Sequence, residues 1–157
     1  METLLSQIAS ELLARKLTLA TAESCTGGLV GAALTSLPGS SAWYIGGIVA
    51  YSNALKIRLL GVSPDILGAH GAVSRETACA MAEGVRGAAN ADFAVSITGI
   101  AGPAGGTPEK PVGLVCVAVA APHETSTFQH FFSGSRDDVR NAAVQAALRH
   151  LLDSLQP

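Results

Sequence analysis

The sequence has little aromatic content, 4% of its 157 residues, and little charge, with Asp, Glu, Lys and Arg together at 14%. With 48% hydrophobic residues it can still bury a sizeable core, but that core must be built from Leu, Val, Ile and Ala. It also lacks a basic excess: 10 Lys and Arg stand against 12 Asp and Glu, a net charge of −2. That excludes the basic face on which nonspecific nucleic-acid binding depends. The three cysteines, Cys25, Cys79 and Cys116, are too few and too scattered for a disulfide framework or a zinc knuckle, and they suit a reducing compartment. The longest apolar run, Val112 to Ala121, is far too short to span a bilayer. The first residues include Glu2 and Glu11, with no basic flank before an apolar stretch, so a signal peptide is not expected. These absences predict one cytoplasmic domain over residues 1–157, with neither nucleic acid nor membrane as a partner. The sparsely charged surface suits a homo-oligomer, with a dimer favoured.

What is present centres on Thr21-Ala22-Glu23-Ser24-Cys25-Thr26-Gly27-Gly28. Leu17 to Ala20 reads as a short buried strand before it. The helical spacing of Val30, Ala33, Leu34 and Leu37 follows it. A strand feeding a tight Ser/Thr/Gly turn into a helix leaves the helix's first N–H groups free, an end that favours a phosphate or a developing oxyanion. Ser24 and Thr26 have a plainer reading as helix caps, and the glycines as turn formers.

Elsewhere, Leu5, Ile8, Leu12 and Leu13 mark an amphipathic first helix. Trp43 to Ala50 reads as a strand in which Gly46-Gly47 marks a bulge or a close approach. Tyr51-Ser52-Asn53 then leads into a short helix through Lys56 and Leu60, stopped by Gly61. Residues 63–72 read as turns. Ser74 caps a helix with a stripe of Ala78, Met81, Ala82 and Val85, and Asp92 to Thr98 forms a third strand. Gly99 to Pro108 is the most glycine-rich loop. Two hairpin-like strands, 113–120 and 125–132, and a helix opening at a Ser135/Asp138 capping box complete the chain. Alternating helices and strands predict an α/β fold: one three-layer α/β/α domain with a mixed, mostly parallel sheet.

Several motifs fail on spacing. Gly99, Gly102 and Gly105 fit neither the dinucleotide fingerprint nor the phosphate-binding Walker loop. Ser52 and Lys56 miss the S-x-x-K spacing. His123 and His130 are seven apart and would face opposite sides of a strand, so no metal site is expected. Ser24, the Tyr51/Lys56 pair and the glycine loop each follow a strand, and open α/β sheets bind ligands at the carboxyl ends of their strands. The three clusters are therefore expected to meet in one pocket. Taken singly, Tyr51 is equally a half-buried aromatic and Lys56 a solvated helix charge.

Blocks in order along the chain resemble the CinA C-terminal domain family: Ala22 to Gly28, Gly39 to Trp43, Ala50-Tyr51-Ser52-Asn53 with Lys56, His70 to Ser74, and Thr98 to Pro103 continuing through Gly105-Gly106-Thr107 and Glu109 to Gly113. The family includes nicotinamide-nucleotide amidohydrolases, which convert nicotinamide mononucleotide to nicotinate mononucleotide and ammonia in pyridine-nucleotide recycling. The resemblance implies a Ser–Tyr–Lys catalytic set at Ser24, Tyr51 and Lys56 and a functional arginine near the last helix. Arg136 matches best, and Arg140, four residues on, is its competitor. A second domain linked to nucleotide pyrophosphatase activity precedes this one in longer relatives; its activity is not carried over to this sequence.

On this reading Ser24 attacks the carboxamide carbon, neutral Lys56 takes the hydroxyl proton with Tyr51 relaying it or protonating the leaving amine, and backbone amides of Thr26, Gly27 and Gly28 hold the oxyanion. Arg136, Arg140 or the Gly99–Gly106 loop, with Gly102, Gly105 and Gly106, holds the phosphate. No cofactor is called for. The alternative is a catalytically silent nucleotide-binding module with the same pocket.

Overall fold

The computed structural model describes residues 1–156, and its architecture is the expected three-layer α/β/α domain. The elements, in order, are α1 (Glu2–Arg15), β1 (Leu19–Glu23), α2 (Leu29–Thr35), β2 (Tyr44–Val49), α3 (Asn53–Leu60), α4 (Pro64–His70), α5 (Arg75–Ala89), β3 (Phe93–Gly99), β4 (Leu114–Ala120), β5 (Thr125–Phe131) and α6 (Arg136–Leu155). The sheet order is β2-β1-β3-β4-β5. The first three strands are parallel, and β4 and β5 run antiparallel as a hairpin. Among the described residues no helix is long and apolar enough to cross a membrane.

Side-chain size decides which helix covers which face. Along β4, Val115, Val117 and Val119 point into the cluster built with α1 and α6, while Cys116, Ala118 and Ala120 point the other way, toward α5. Strands β1 and β3 follow the same rule: Leu19, Phe93, Val95 and Ile97 face α1 and α6, and Ala20, Ala22 and Ala94 face α5. Period-two alternation separates the two faces. The small face lets α5, itself carrying Ala78, Ala82 and Gly84, lie close to the sheet and to α3.

Two local readings are corrected and a third is made specific. Strand β1 begins at Leu19 and runs through Glu23, because Ala22 and Glu23 are paired on both sides, with Ile48 and Val49 of β2 and Ser96 and Ile97 of β3. Leu17 instead closes the C-terminus of α1, its N–H bonding the Leu12 carbonyl beside left-handed Lys16. Residues 63–72 hold a helix, α4: the Ser63 hydroxyl accepts the Ile66 N–H at 3.1 Å, and Pro64 sits at the first helical position. The Gly46-Gly47 signal has two parts. The register slips between Leu19 and Ala20, leaving Ile45 as the bulged residue. A Cβ at Gly47 would lie 2.1 Å from the Thr21 hydroxyl, so the glycine is required by close approach.

Two glycines on α5 give a paired test. A Cβ at Gly84 would fall 1.8 Å from the Leu60 carbonyl oxygen, whereas one at Gly87 meets nothing within 4 Å. Gly84→Ala is expected to lower stability by about 2 kcal/mol or more despite alanine's better helix propensity. Gly87→Ala should raise it by up to about 1 kcal/mol. Urea denaturation midpoints of the two variants read the difference; equal shifts would mean α5 does not pack on α3 this closely.

Candidate active site

Because β1 lies between β2 and β3 and all three are parallel, the segments after them emerge along one edge of the sheet. Strand β5 ends on that edge too, so α6 starts there. These ends enclose a cleft of about 280 Å³ whose lining includes Ser24, Tyr51, Lys56, Gly102, Gly105 and Arg136. Its lining contains two basic residues, Lys56 and Arg136, and no acid.

At the floor, the Lys56 Nζ lies 3.0 Å from the Ser24 Oγ and 3.0 Å from the Ala50 carbonyl, with the Tyr51 carbonyl at 3.4 Å. Lys56 is 2% exposed and has no carboxylate partner among the described residues. Burial disfavours its charged form and lowers its pKa from the usual 10.5. An ammonium donates to all three oxygens, and a neutral amine donates to the two carbonyls while its lone pair accepts the serine hydroxyl, so the geometry serves both protonation states. Burial is the cause of the shift.

The Ser24 turn is held by Glu23. This carboxylate, 2% exposed, accepts the Thr26 hydroxyl at 2.6 Å and the backbone N–H groups of Gly28, Val30 and Gly31 at 3.0, 3.1 and 2.9 Å. The open end of α2 is therefore filled by the chain's own anion. The Gly27 N–H is also taken, by the Ser24 carbonyl at 3.0 Å. The amides of Gly27 and Gly28 are thus not free for an oxyanion, while the Thr26 hydroxyl serves the turn and the Thr26 N–H has no hydrogen-bond partner among the described residues.

Two arginines of α6 divide their work. Arg136 donates to the Gly102 carbonyl at 2.7 Å and to the Tyr51 hydroxyl at 3.0 Å, bringing its guanidinium into the cleft. Arg140 instead donates to the carbonyls of Cys25 and Thr26, each at 3.2 Å, and lies outside the cleft lining. It braces the turn from behind. Tyr51 is 60% exposed, and its hydroxyl meets Arg136 and not Ser24. The expected Ser24–Tyr51–Lys56 relay is replaced by direct Ser24–Lys56 contact.

A family model described as the CinA C-terminal domain matches residues 1–155. The chain belongs to that family. It is 53% identical over 144 residues to a CinA-like protein of Anaeromyxobacter dehalogenans, covering 92% of this chain and 35% of that protein. It is 50% identical over 147 residues to a CinA-like protein of Acidobacterium capsulatum, covering 94% and 36%. The chain thus spans little more than a third of the length of these curated relatives. The crystal structure of the competence/damage inducible protein CihA from Agrobacterium tumefaciens superposes with a TM-score of 0.96 at 43% identity, covering 99% of this chain and 95% of that one. A competence or damage-inducible protein from Enterobacter asburiae gives 0.94 at 40% identity, covering 98% and 96%.

In this CinA domain the glycine loop is pinned at both ends. Ile100 N–H bonds the Leu114 carbonyl at 2.9 Å and Gly113 N–H the Ile100 carbonyl at 2.8 Å. Lys110 straps the loop to the turn before α5 through the carbonyls of His70 and Val73. Gly106 faces Val112, where a Cβ would fall 2.6 Å from the Val112 nitrogen, and it does not line the cleft. Sequence reasoning missed Glu23, Lys110 and the lining residues Ala72, Val73 and Thr98. The Ser24-adjacent acid was in view, but nothing in spacing alone says that a carboxylate will fold onto the next helix.

Removing the Glu23 carboxylate leaves three amides without acceptors. Glu23→Ala is expected to cost about 3–5 kcal/mol, in the range for stranding buried polar groups. Chemical denaturation measures it; a loss below about 1 kcal/mol would mean that water replaces the carboxylate.

Proposed function

We propose that this protein hydrolyses the carboxamide of nicotinamide mononucleotide to nicotinate mononucleotide and ammonia. The observation that supports this most is the buried 3.0 Å contact between Ser24 and an unpaired lysine, Lys56, at the floor of a cleft with no acidic lining. An uncharged lysine against a serine hydroxyl forms a base–nucleophile pair, and its lowered pKa makes the free base accessible.

In the proposed cycle Lys56 takes the Ser24 proton as the oxygen attacks the carboxamide carbon. The tetrahedral intermediate collapses as the Lys56 ammonium protonates the departing nitrogen, giving ammonia and an acyl-serine. Water then gives a proton to Lys56 and attacks the ester carbonyl. Collapse releases the acid and returns the proton to Ser24. Arg136, held by Gly102 and Tyr51, meets the ligand's phosphate, and Tyr51 contributes by fixing that guanidinium.

Ammonia release from nicotinamide mononucleotide by the purified protein is the primary test. Tight binding with no ammonia would leave a nucleotide-binding module in place of an enzyme. Ser24→Ala should abolish turnover. Cys25→Ala should keep most of it, because burial pushes the Cys25 thiol up to about 11 and leaves it un-ionised at neutral pH. The reverse pattern would move the nucleophile to Cys25.

The base assignment has its own signature. Only neutral Lys56 accepts a proton, so activity should rise with pH along a one-proton limb centred below 10.5 and then level off. Lys56→Arg, permanently charged, should be inactive. Near wild-type turnover in that variant would show that the position supplies charge alone.

Arg136→Ala should weaken nicotinamide mononucleotide at least tenfold more than the corresponding phosphate-free nucleoside, as expected for loss of a charge-assisted contact. Equal losses on the two ligands would remove the phosphate role.

A further inference from the structure

The polar side chains of the cleft are nearly all committed within the protein. Ser24 is engaged by Lys56, and Lys56 by Ser24 and two carbonyls. The Thr98 hydroxyl donates to the Ala72 carbonyl at 2.7 Å, and the Tyr51 hydroxyl accepts from Arg136. Cys25 is a buried thiol. Asn53 differs: it lines the cleft, is exposed, and its carboxamide makes no hydrogen bond among the described residues. It is the first residue of α3 and stands three positions before Lys56, a spacing that sets two side chains on neighbouring parts of one helical face. Capping does not explain it, because Ser52 is the N-cap and accepts the Leu55 N–H at 3.2 Å.

A free side-chain amide next to a Ser–Lys pair has a definite partner chemistry. We infer that Asn53 pairs with the scissile carboxamide of the substrate, its Nδ2–H donating to the carbonyl oxygen and its Oδ1 accepting from the amide nitrogen. The inference rests on the amide hydrolysis proposed above. Two amides joined this way share a plane, which leaves the face of the substrate carbonyl open to the Ser24 Oγ. As that oxygen attacks, the carbonyl oxygen gains charge and the Nδ2–H bond strengthens. Asn53 thereby supplies an oxyanion donor that Gly27 and Gly28 cannot, their amides being occupied. The product offers a carboxylate in place of the amide, so Oδ1 faces a second acceptor and the match is lost. The same side chain selects amide over acid and favours release of product.

The test uses Asn53→Ala and Asn53→Asp, both suited to an exposed first helical position. In steady-state ammonia release, Asn53→Ala should lower kcat about 100-fold with KM changed only a few-fold, the mark of a donor used in the transition state. Asn53→Asp keeps the acceptor and loses the donor, and should be no more active than Asn53→Ala. Calorimetry of nicotinamide mononucleotide and nicotinate mononucleotide in a Ser24→Ala background reads recognition without turnover. Adding Asn53→Ala there should shift the amide-to-acid affinity ratio at least fivefold toward the acid. A kcat within threefold of wild type, or an unchanged ratio, overturns the inference. Wild-type protein that releases no ammonia but shows the Asn53-dependent ratio refutes the hydrolysis and keeps the recognition. Active wild-type protein with no Asn53 effect does the opposite, and failure to bind either nucleotide removes both.

Discussion

A carboxylate buried against the start of a short helix sets the geometry of this domain. Glu23 ends the interior strand β1, and its side chain folds forward onto the amides of Gly28, Val30 and Gly31 and the hydroxyl of Thr26. Strand, turn and helix are thereby locked together across Ser24, the proposed nucleophile. Arg140 bonds the other side of the same turn through the carbonyls of Cys25 and Thr26. Donors on one side and acceptors on the other leave the turn few ways to move. An oriented hydroxyl costs conformational entropy, and here that cost is met by folding before any ligand arrives.

The second constraint is a lysine with no counterion. A buried ammonium would need a carboxylate or full solvation, and Lys56 has neither among the described residues. Its only partners are two backbone carbonyls and a hydroxyl, and burial lowers its pKa from the usual 10.5. The charge that remains in the cleft belongs to Arg136, which stands higher on the wall and is tied to Tyr51 and Gly102. Two basic residues therefore stand in different surroundings: Lys56 is buried, which disfavours its charged form, while the Arg136 guanidinium is held by a carbonyl and a hydroxyl at the cleft wall.

Much of this was legible from the chain. The α/β alternation, the Ser74 and Ser135 caps, the Gly61 stop and the bulge at Gly46-Gly47 all followed local rules, since each depends on neighbours in sequence. The meeting of Ser24, Lys56 and the glycine loop followed from strand direction. What escaped depends on distant partners. Residues Ala22 and Glu23 read as turn because their strand character comes from pairing on both sides, with Ile48 and Val49 and with Ser96 and Ile97. The Tyr51 hydroxyl was drawn between Ser24 and Lys56 because those three residues are implicated together, yet a helix beginning 85 residues later supplies its partner. Helix α4 was the exception, a local signal overlooked: Ser63 followed by Pro64 and Asp65 is a helix start.

The unequal faces of the sheet carry a consequence for how such a chain can drift. On the α1/α6 side the strands present Val, Leu, Ile and Phe, where a smaller residue opens a void and neighbouring side chains can partly relax into it. On the α5 side they present chiefly alanine, with Cys116 and Leu114, against Ala78, Met81, Ala82 and Val85 of α5, and backbone, not side chain, sets the contact at Gly84 and Leu60. At its alanine and glycine positions almost every replacement is an enlargement, and backbone yields less readily than a side chain. One layer can explore sequence by trading volumes among its members, while the alanine positions of the other are confined to small residues. The strands that deliver Ser24 and the glycine loop are built on that confined layer, so the mutational freedom of the domain lies chiefly on its opposite side.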